Sequence, residues 1–411
     1  MDTLADHCEQ TCRAILFFWE EMLMDYMGID ISKYKHDAYV LSESGEILTD
    51  IFTFSNNADG FRKLEQVLNL YGQGNVRIGF ESTGNYAINL KLFLEQIGFD
   101  FMEINPLLIH KHIKSNTLRQ TVTDKISAFA IADYMRGKKY YPFRKGFYEV
   151  FALKQLTRFR STLIKDRSKY LVHLTNILDC IFPEFKSIFD NEFTVTSLYI
   201  LENYGSAQAI SNMNSRSYDI LRRKSRGHFT ISMFVRLKQA AKNTVGMYEE
   251  CYGIKLQSIL SMYNNINEQV KVVEIHIEKM ITEMNPYTLS IKGIGPISAA
   301  IIVAEFGDFS LFDNPDQLLA FAGMDPKYFQ SGTSEHKGGM TKHGSPHLRN
   351  TLINCCRALR FHNEVFAAYY YKKRSEGKSE DVALVHMAKK LLRVIYFLET
   401  NGELFDPDKL R

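Results

Sequence analysis

Proline is scarce in this chain of 411 residues: there are nine, and no proline-biased tract. That leaves little room for long unstructured linkers. The six cysteines (Cys8, Cys12, Cys180, Cys251, Cys355 and Cys356) include no Cys-x-x-Cys pair and no spacing typical of zinc ligands. The expectation is a cytoplasmic protein with reduced, mostly buried thiols. Long hydrophobic runs are missing too. The apolar stretch at residues 14–19 is far short of the roughly 20 residues of a membrane span. Glu20 and Glu21 follow it, with no small-residue cleavage site, so a secretory signal is not expected. Finally, neither sign of charge dominates: 50 Lys and Arg face 47 Asp and Glu, for a net +3. That average speaks against a nucleic-acid binder unless the charge is unevenly distributed.

What is present is a globular composition, 45% hydrophobic and 24% charged. At roughly 150 residues per domain, the length fits two or three domains. Residues 1–24 match nothing that follows. An amphipathic helix fits them, and so does a start placed ahead of the true one at Met24 or Met27. From residue 25 the pattern is clear. Residues 27–33, 36–41 and 47–54 read as strands of a meander, with a turn at Glu43-Ser44-Gly45-Glu46. Asn57 caps a helix whose apolar residues Phe61, Leu64, Val67, Leu68 and Tyr71 follow the 3.6 period, and Gly72 ends it. A strand at 76–81, a helix at 85–97 closed by Gly98, and a strand at 99–104 follow, with helices from Pro106 and Thr123. Three antiparallel strands and then alternating helix and strand is the order of a ribonuclease H-like α/β domain, here 25–146.

Residues 147–285 read as all-helical. The stretch 254–284 has apolar residues three or four apart, among them Ile259, Met262, Ile266, Val270, Val273, Ile277 and Ile281. It fits a coiled coil or a bundle helix equally well. Residues 286–400 form a third, mainly helical unit, and 401–411 a tail. In that unit a Gly-rich polar loop is expected at 330–344. Ser345 is placed as an N-cap ahead of Pro346. A last helix from about 379 has Glu380 and Asp381 at its start and Lys389, Lys390 and Arg393 in its second half.

Three carboxylates stand out. Asp30 lies in the first strand, Glu81 ends the fourth, and Asp124 starts a helix. Taken singly, each reads as a surface acid capping a turn. If the three converge, they make an all-oxygen site suited to Mg²⁺. Two such ions about 4 Å apart polarise a scissile phosphate and stabilise the attacking and leaving oxygens. The turn Ser82-Thr83-Gly84-Asn85 after Glu81 leads into a helix N-terminus, a place where backbone approaches phosphate.

Gly28-Ile29-Asp30-Ile31-Ser32-Lys33, Glu81-Ser82-Thr83-Gly84 and Thr123-Asp124-Lys125-Ile126-Ser127-Ala128 resemble the three acidic motifs of the DEDD-type insertion-sequence transposases. That family includes the Piv-type DNA invertases and recombinases guided by a structured RNA. The resemblance continues in Ile291-Lys292-Gly293-Ile294-Gly295-Pro296, Phe321-Ala322-Gly323-Met324-Asp325-Pro326, Gln330-Ser331-Gly332, Lys342-His343-Gly344 and Leu348-Arg349. It runs in order from about residue 27 to 398. It implies a RuvC-like N-terminal domain that uses Mg²⁺, a helical C-terminal transposase domain, and a dimer or tetramer in which the two domains meet across subunits. It also implies a serine nucleophile at Ser331 and a structured non-coding RNA that pairs with DNA. On residues alone, Ser331 sits in a tract of flexible-loop composition, and a hydroxyl needs activation to attack. Ser345 competes for the role but is accounted for as a cap.

One position departs from the family. Its third motif ends in a second aspartate three residues after the first, where this chain has Ser127. Serine supplies no charged ligand. Asp133 is nine residues beyond Asp124, which is nearly the opposite face of a helix. Weaker metal binding than in a Ser127→Asp variant is the expectation.

The distribution of charge overturns the inference drawn from its average. Between residues 105 and 175, fifteen Lys and Arg face four acids, a surplus of +11 that leaves −8 for the rest. Lys111, Lys114, Arg119, Lys125, Lys138, Lys139, Arg144 and Lys145 are the candidate nucleic-acid contacts there. Tyr140, Tyr141, Phe143, Phe147 and Tyr148 interleave with the basic stretch, a mixture suited to RNA or single-stranded DNA. A second cluster, Arg216, Arg222, Arg223, Lys224 and Arg226, reads as a solvated helical face. Gly293 and Gly295 fit a helix-hairpin-helix turn on a phosphate, or a tight packing turn. Lys342 and Arg349 complete the candidates. The expected activity is DNA transposition or recombination. A metal-dependent nuclease or junction resolvase without a covalent intermediate is the alternative, and a catalytically weakened nucleic-acid-binding descendant is another.

Overall fold

The computed structural model describes residues 24–81, 84–116, 124–138, 140, 147–189, 193–247, 249–331, 334–342 and 344–410. The chain divides into two compact units, Met1–Val150 and Phe151–Arg411.

The first unit is built on a mixed five-stranded sheet. Strands β1 (Asp25–Ile31), β2 (Lys35–Leu41), β3 (Ile47–Ser55), β4 (Val76–Glu81) and β5 (Phe101–Ile104) lie in the order β3-β2-β1-β4-β5. β1, β2 and β3 pair antiparallel, and β4 and β5 run parallel to β1. This is the mixed sheet expected of a ribonuclease H-like domain. Helix α1 (Ala58–Tyr71) starts at Asn57, whose side chain accepts the Gly60 N–H at 2.9 Å. Helices α2 (Ile88–Gln96), α3 (Pro106–Asn116) and α4 (Asp124–Arg136) follow.

Helix α4 packs directly on β1. Gly28 has no side chain, and a Cβ there would stand 2.1 Å from the Ala128 carbonyl oxygen and 2.5 Å from the Ala132 nitrogen. Contact this close needs glycine on the strand and small residues on the helix. The direction of α4 is fixed at its far end. Arg136 donates to the Glu43 carbonyl beyond the end of β2, so α4 runs antiparallel to β1.

Among its described residues, the second unit is helical apart from one hairpin. It contains α5 (Phe147–Ile181, which starts at the boundary), α6 (Val195–Tyr204), α7 (Ala207–Ser211), α8 (Ser215–Lys224), α9 (Ile231–Lys242) and α10 (Glu250–Met284). After these come α11 (Pro296–Phe306), α12 (Pro315–Phe321), α13 (Pro346–His362), α14 (Glu364–Ser375) and α15 (Glu380–Asn401). Helices α5 and α10 have 35 residues each. Arg160 pairs with Glu274 at 2.6 Å and Arg167 donates to Asn267 at 3.2 Å, so the two run antiparallel. Both pass through two cores. Leu174, Leu178, Leu256 and Leu260 join the core of the short helices, while Leu153, Val273, Ile277 and Ile281 join that of α11, α13 and α15. The helical middle and the C-terminal region therefore share one unit.

Two expectations are corrected. The polar tract at 330–344 is not a loop. Strands β6 (Pro326–Ser331) and β7 (Ser334–Met340) pair antiparallel, with Ser331 opposite Ser334. Glycines and short polar residues are poor strand formers, so their local preference pointed away from the pairing that the fold imposes. Among the four described thiols, burial is not the rule either: Cys355 and Cys356 are buried, but Cys180 and Cys251 are exposed on their helices, while Cys8 and Cys12 lie outside the described residues. Burial pushes the Cys355 thiol up to about 11 and Cys356 higher still, which makes both inert. Among the described residues, no helix is long and apolar enough to cross a membrane.

Candidate active site

Registry alone brings two of the acids together. Gly28 pairs with Gly79 and Ile29 with Phe80 across the parallel β1–β4 ladder, so the next step sets Asp30 beside Glu81. Alternation puts Asp30 and Glu81 on the face of Gly28, which is the face that α4 covers. Both are half-buried. Burial raises the proton affinity of Glu81, and the charge of Asp30 raises it further. A carboxylate pair of this kind gains stability from a divalent cation placed between its members.

Because α4 runs antiparallel to β1, its first residue, Asp124, comes to the Asp30 end of the strand. Asp124 is one turn before Ala128. Its side chain and that of Lys125 lie outside the described residues, as do Ser82 and Thr83 of the turn after Glu81. Ser127 is half-buried one turn along, beside Ala128. Asp133 is engaged elsewhere, with His112 at 3.0 Å and Arg136 at 2.8 Å. Among the described residues, no group of three His, Cys, Asp or Glu side chains is placed to hold a metal.

Sequence reasoning missed a further acid on this face. Asp37 is directly opposite Asp30 in the β1–β2 register and only 4% exposed. Thr53 donates to it, and Lys35 pairs with it at 3.3 Å. Asp37, Asp30 and Glu81 thus form a row across β2, β1 and β4. The alternation of the segment 35–41 held the signal, but only the register shows which acid it faces.

The basic stretch divides into two roles. Lys111, Lys114 and Lys138 are exposed on the first unit. Arg119, Lys139, Arg144 and Lys145 lie outside the described residues. Tyr140 is not presented for stacking: it covers Arg77, with the guanidinium 5.3 Å from its ring centroid, and donates to the Ile78 carbonyl at 3.1 Å. Further along, Arg158 forks onto Glu305 at 2.9 and 3.1 Å, with Lys154 at 3.9 Å. Arg160 and Arg167 tie α5 to α10 as above. Much of the surplus charge on α5 therefore packs helices together, using acids from the −8 remainder.

In the second unit, Ser331 ends β6 and its side chain lies outside the described residues. The foot of the hairpin is firmly anchored. Thr341 donates to Asp325 through its backbone and its hydroxyl. Arg349 donates to the carbonyls of Ala322 at 3.0 Å and Gly344 at 2.7 Å. A Cβ on Gly344 would meet the Phe321 oxygen at 2.0 Å. The exposed Lys342 takes a positive φ of 58° at this foot. Ser345 caps α13 by accepting the Leu348 N–H at 3.3 Å, and its hydroxyl also serves the buried Glu305. Gly293 has φ of 106° between the 3₁₀ turn Tyr287–Ser290 and α11, and a Cβ there would touch Leu359 at 2.9 Å. Gly295 is the N-cap residue of α11.

Comparisons with known proteins bear on both units. Residues 27–183 match a transposase family model of the DEDD type, and residues 286–371 match the model "Transposase IS116/IS110/IS902 family". The chain is 23% identical to an uncharacterized 44.8 kDa protein of insertion element IS116 from Streptomyces clavuligerus, over 93% of this chain and 96% of that one. It is 22% identical to the pilin gene-inverting protein of Moraxella bovis, over 94% and 98% of the two chains. A putative transposase of Sinorhizobium fredii is 38% identical over 26% of this chain and 28% of its own. A sheet carrying paired acids, joined to a second matched region with a serine-bearing hairpin, defines the class: a DNA transposase or recombinase. Within that class, the chain belongs to the IS110/IS116/IS902 family of insertion-sequence transposases.

Proposed function

We propose that this transposase cuts and rejoins DNA through a covalent phosphoserine intermediate formed by Ser331, with Mg²⁺ held by Asp30, Glu81 and Asp124. The observation that supports it best is the Asp30–Glu81 pair, set side by side by strand register, with burial and then the charge of Asp30 raising the proton affinity of Glu81. When bound, the metal supplies Lewis-acid polarisation of the scissile phosphate. The protein groups do the rest. Asp30 and Glu81 fix one end of the site on rigid central strands, and Asp124 approaches from the helix covering them. Lys111, Lys114 and Lys138 hold nucleic-acid backbone, including that of a structured guide RNA. The hairpin carries Ser331 on an anchored foot. Its hydroxyl oxygen bonds to phosphorus, one P–O bond to deoxyribose breaks, and the departing oxygen takes a proton. One phosphodiester replaces another, so rejoining by a deoxyribose hydroxyl needs no outside energy source. Assembly as a dimer or tetramer brings the two units together across subunits.

The test is incubation of the full chain, with its co-purified RNA, on matching duplex DNA and Mg²⁺. A covalent protein–DNA adduct in the native chain that Ser331→Ala lacks supports the proposal. An adduct that survives Ser331→Ala refutes the nucleophile. Free nicked ends without an adduct identify a resolvase-like nuclease. Binding without cleavage identifies a weakened descendant, the reading favoured by Ser127 in place of an acid.

A further inference from the structure

The second unit carries a basic ridge that lies outside the acidic site and the serine hairpin. On α15 the residues His386, Lys389, Lys390 and Arg393 are spaced to share one side of the helix. Lys390 stands 4.9 Å from the Tyr369 ring centroid, and Lys373 of α14 stands 5.6 Å from the same ring. Two ammonium groups from different helices therefore share one aromatic ring. Between residues 372 and 393 there are seven Lys and Arg against three acids. The acids that face this region are mostly engaged. Glu376 pairs with Lys373 at 2.8 Å, Glu380 with Arg360 at 2.6 Å, and Asp316 with Arg393 at 3.0 Å. Asp325 acts on Lys389. For Lys390, the neighbouring charge that acts is another cation, Lys372.

Burial and then a like charge lower the proton affinity of both Lys389 and Lys390. Burial, with Lys373, Lys389 and Lys378 after it, does the same to His386. Crowding of this kind costs stability in the free protein, and a polyanion laid across it relieves that cost. The position of the ridge selects the polyanion. Its Lys389 end is near enough to feel the charge of Asp325, the residue that anchors Thr341 at the foot of the Ser331 hairpin. From there it runs along α15 toward Lys378 in the α14–α15 turn.

We propose that the ridge Lys373–Lys389–Lys390, with Tyr369 beneath it, is a track for the phosphate backbone of duplex DNA flanking the strand that Ser331 attacks. This rests on the transposase reading given above. Contact there is to backbone and carries no base specificity.

The test is fluorescence anisotropy of the full chain on a labelled duplex across a salt series. Lys389→Gln with Lys390→Gln should lower the slope of log affinity against log salt by about 2, at roughly 0.9 per lost phosphate contact. The loss should be equal for unrelated duplex sequences. Lys389→Arg with Lys390→Arg should keep the native slope. Lys271→Gln with Lys279→Gln, exposed on α10, should keep it too and so controls for net charge. The proposal is overturned by an unchanged slope in the glutamine pair, by an equal fall in the α10 control, or by a loss confined to RNA. Adduct assays on the same preparations separate the two readings. Native adducts with an unchanged slope sink only the track, whereas the expected slope change without native adducts sinks only the serine chemistry.

Discussion

Replacing Gly28 with alanine tests the seam between β1 and α4 directly. The new methyl would lie 2.1 Å from the Ala128 oxygen, about 1.3 Å short of the 3.4 Å at which ordinary contact begins. Both near atoms, the Ala128 oxygen and the Ala132 nitrogen, are main chain, so no rotamer change relieves the clash. The helix must lift from the sheet or the strand must bend. Overpacking costs roughly 1–3 kcal/mol, and an unyielding backbone partner places this case at about 3 kcal/mol. For a unit of this size, that lowers Tm by roughly 6–12 °C. The helix that lifts is the one that begins at Asp124. If Asp124 serves the reaction as proposed, a displacement of about 1 Å there costs on the order of 100-fold in rate. Calorimetry of Gly28→Ala, with single-turnover DNA cleavage measured well below its Tm, reads both effects. Ala132→Gly in the same chain should not rescue them, because it removes only a side-chain contact at 3.1 Å. A Tm within about 1 °C of the native chain, or full rescue by Ala132→Gly, would refute the close backbone approach.

His36 is fully buried against Phe54, and neither ring nitrogen makes a well-formed hydrogen bond. Burial holds it below the ordinary histidine range, against smaller opposing effects of Asn56 and Asp37. The folded state therefore keeps His36 neutral while the unfolded chain takes a proton, so stability falls as pH drops below about 6.5. Melting curves of His36→Leu between pH 5 and 8 should show a shallower fall than the native chain, and an equal fall would count against this reading. Glu305 is 3% exposed, and its partners, Arg158 foremost, outweigh burial and hold it below the usual carboxylate range. Arg158→Met should cost about 2 kcal/mol, less than the roughly 3–5 of a wholly buried pair because Lys154 and Ser345 remain. Arg158→Met with Glu305→Met should recover most of it, and thermal melts showing the double variant to be the weaker would contradict this. Ser127→Asp should tighten Mg²⁺ binding in titration calorimetry; equal or tighter binding by the natural chain would show that the serine costs nothing.

The sheet was legible because recognisable signals bound several of its strands: Glu43-Ser44-Gly45-Glu46 after β2, and Asn57 and Gly72 around α1. Asp30 and Glu81 were legible because strand order and alternation decide where their side chains go. Three features were not. The hairpin β6–β7 pairs Pro326–Ser331 with a segment, Ser334–Met340, that carries two glycines and mostly polar residues, whose local preferences oppose a strand. Asp37 became significant only through its register with Asp30. The α15 ridge looked from sequence like charges matched to a helix end, because its partners Tyr369 and Lys373 come from another helix. The reading of the +11 stretch was coarse for the same reason. Sequence counts Arg158 and Arg160 as basic surface, whereas packing spends them on Glu305 and Glu274.

The hairpin that ends at Ser331 is also a lever. From Pro326 to Ser331, at about 3.3 Å per residue, its arm is about 17 Å long. A rotation of about 10° at the foot would carry the tip through about 3 Å, the difference between hydrogen-bond distance and none. Small adjustments where Thr341 meets Asp325 and Arg349 meets the Ala322 and Gly344 carbonyls are thus magnified at the serine. Aim at the far end is set by stiffness at the near one. On the proposed serine chemistry, the residues at the foot would then govern how often the hydroxyl points at phosphorus.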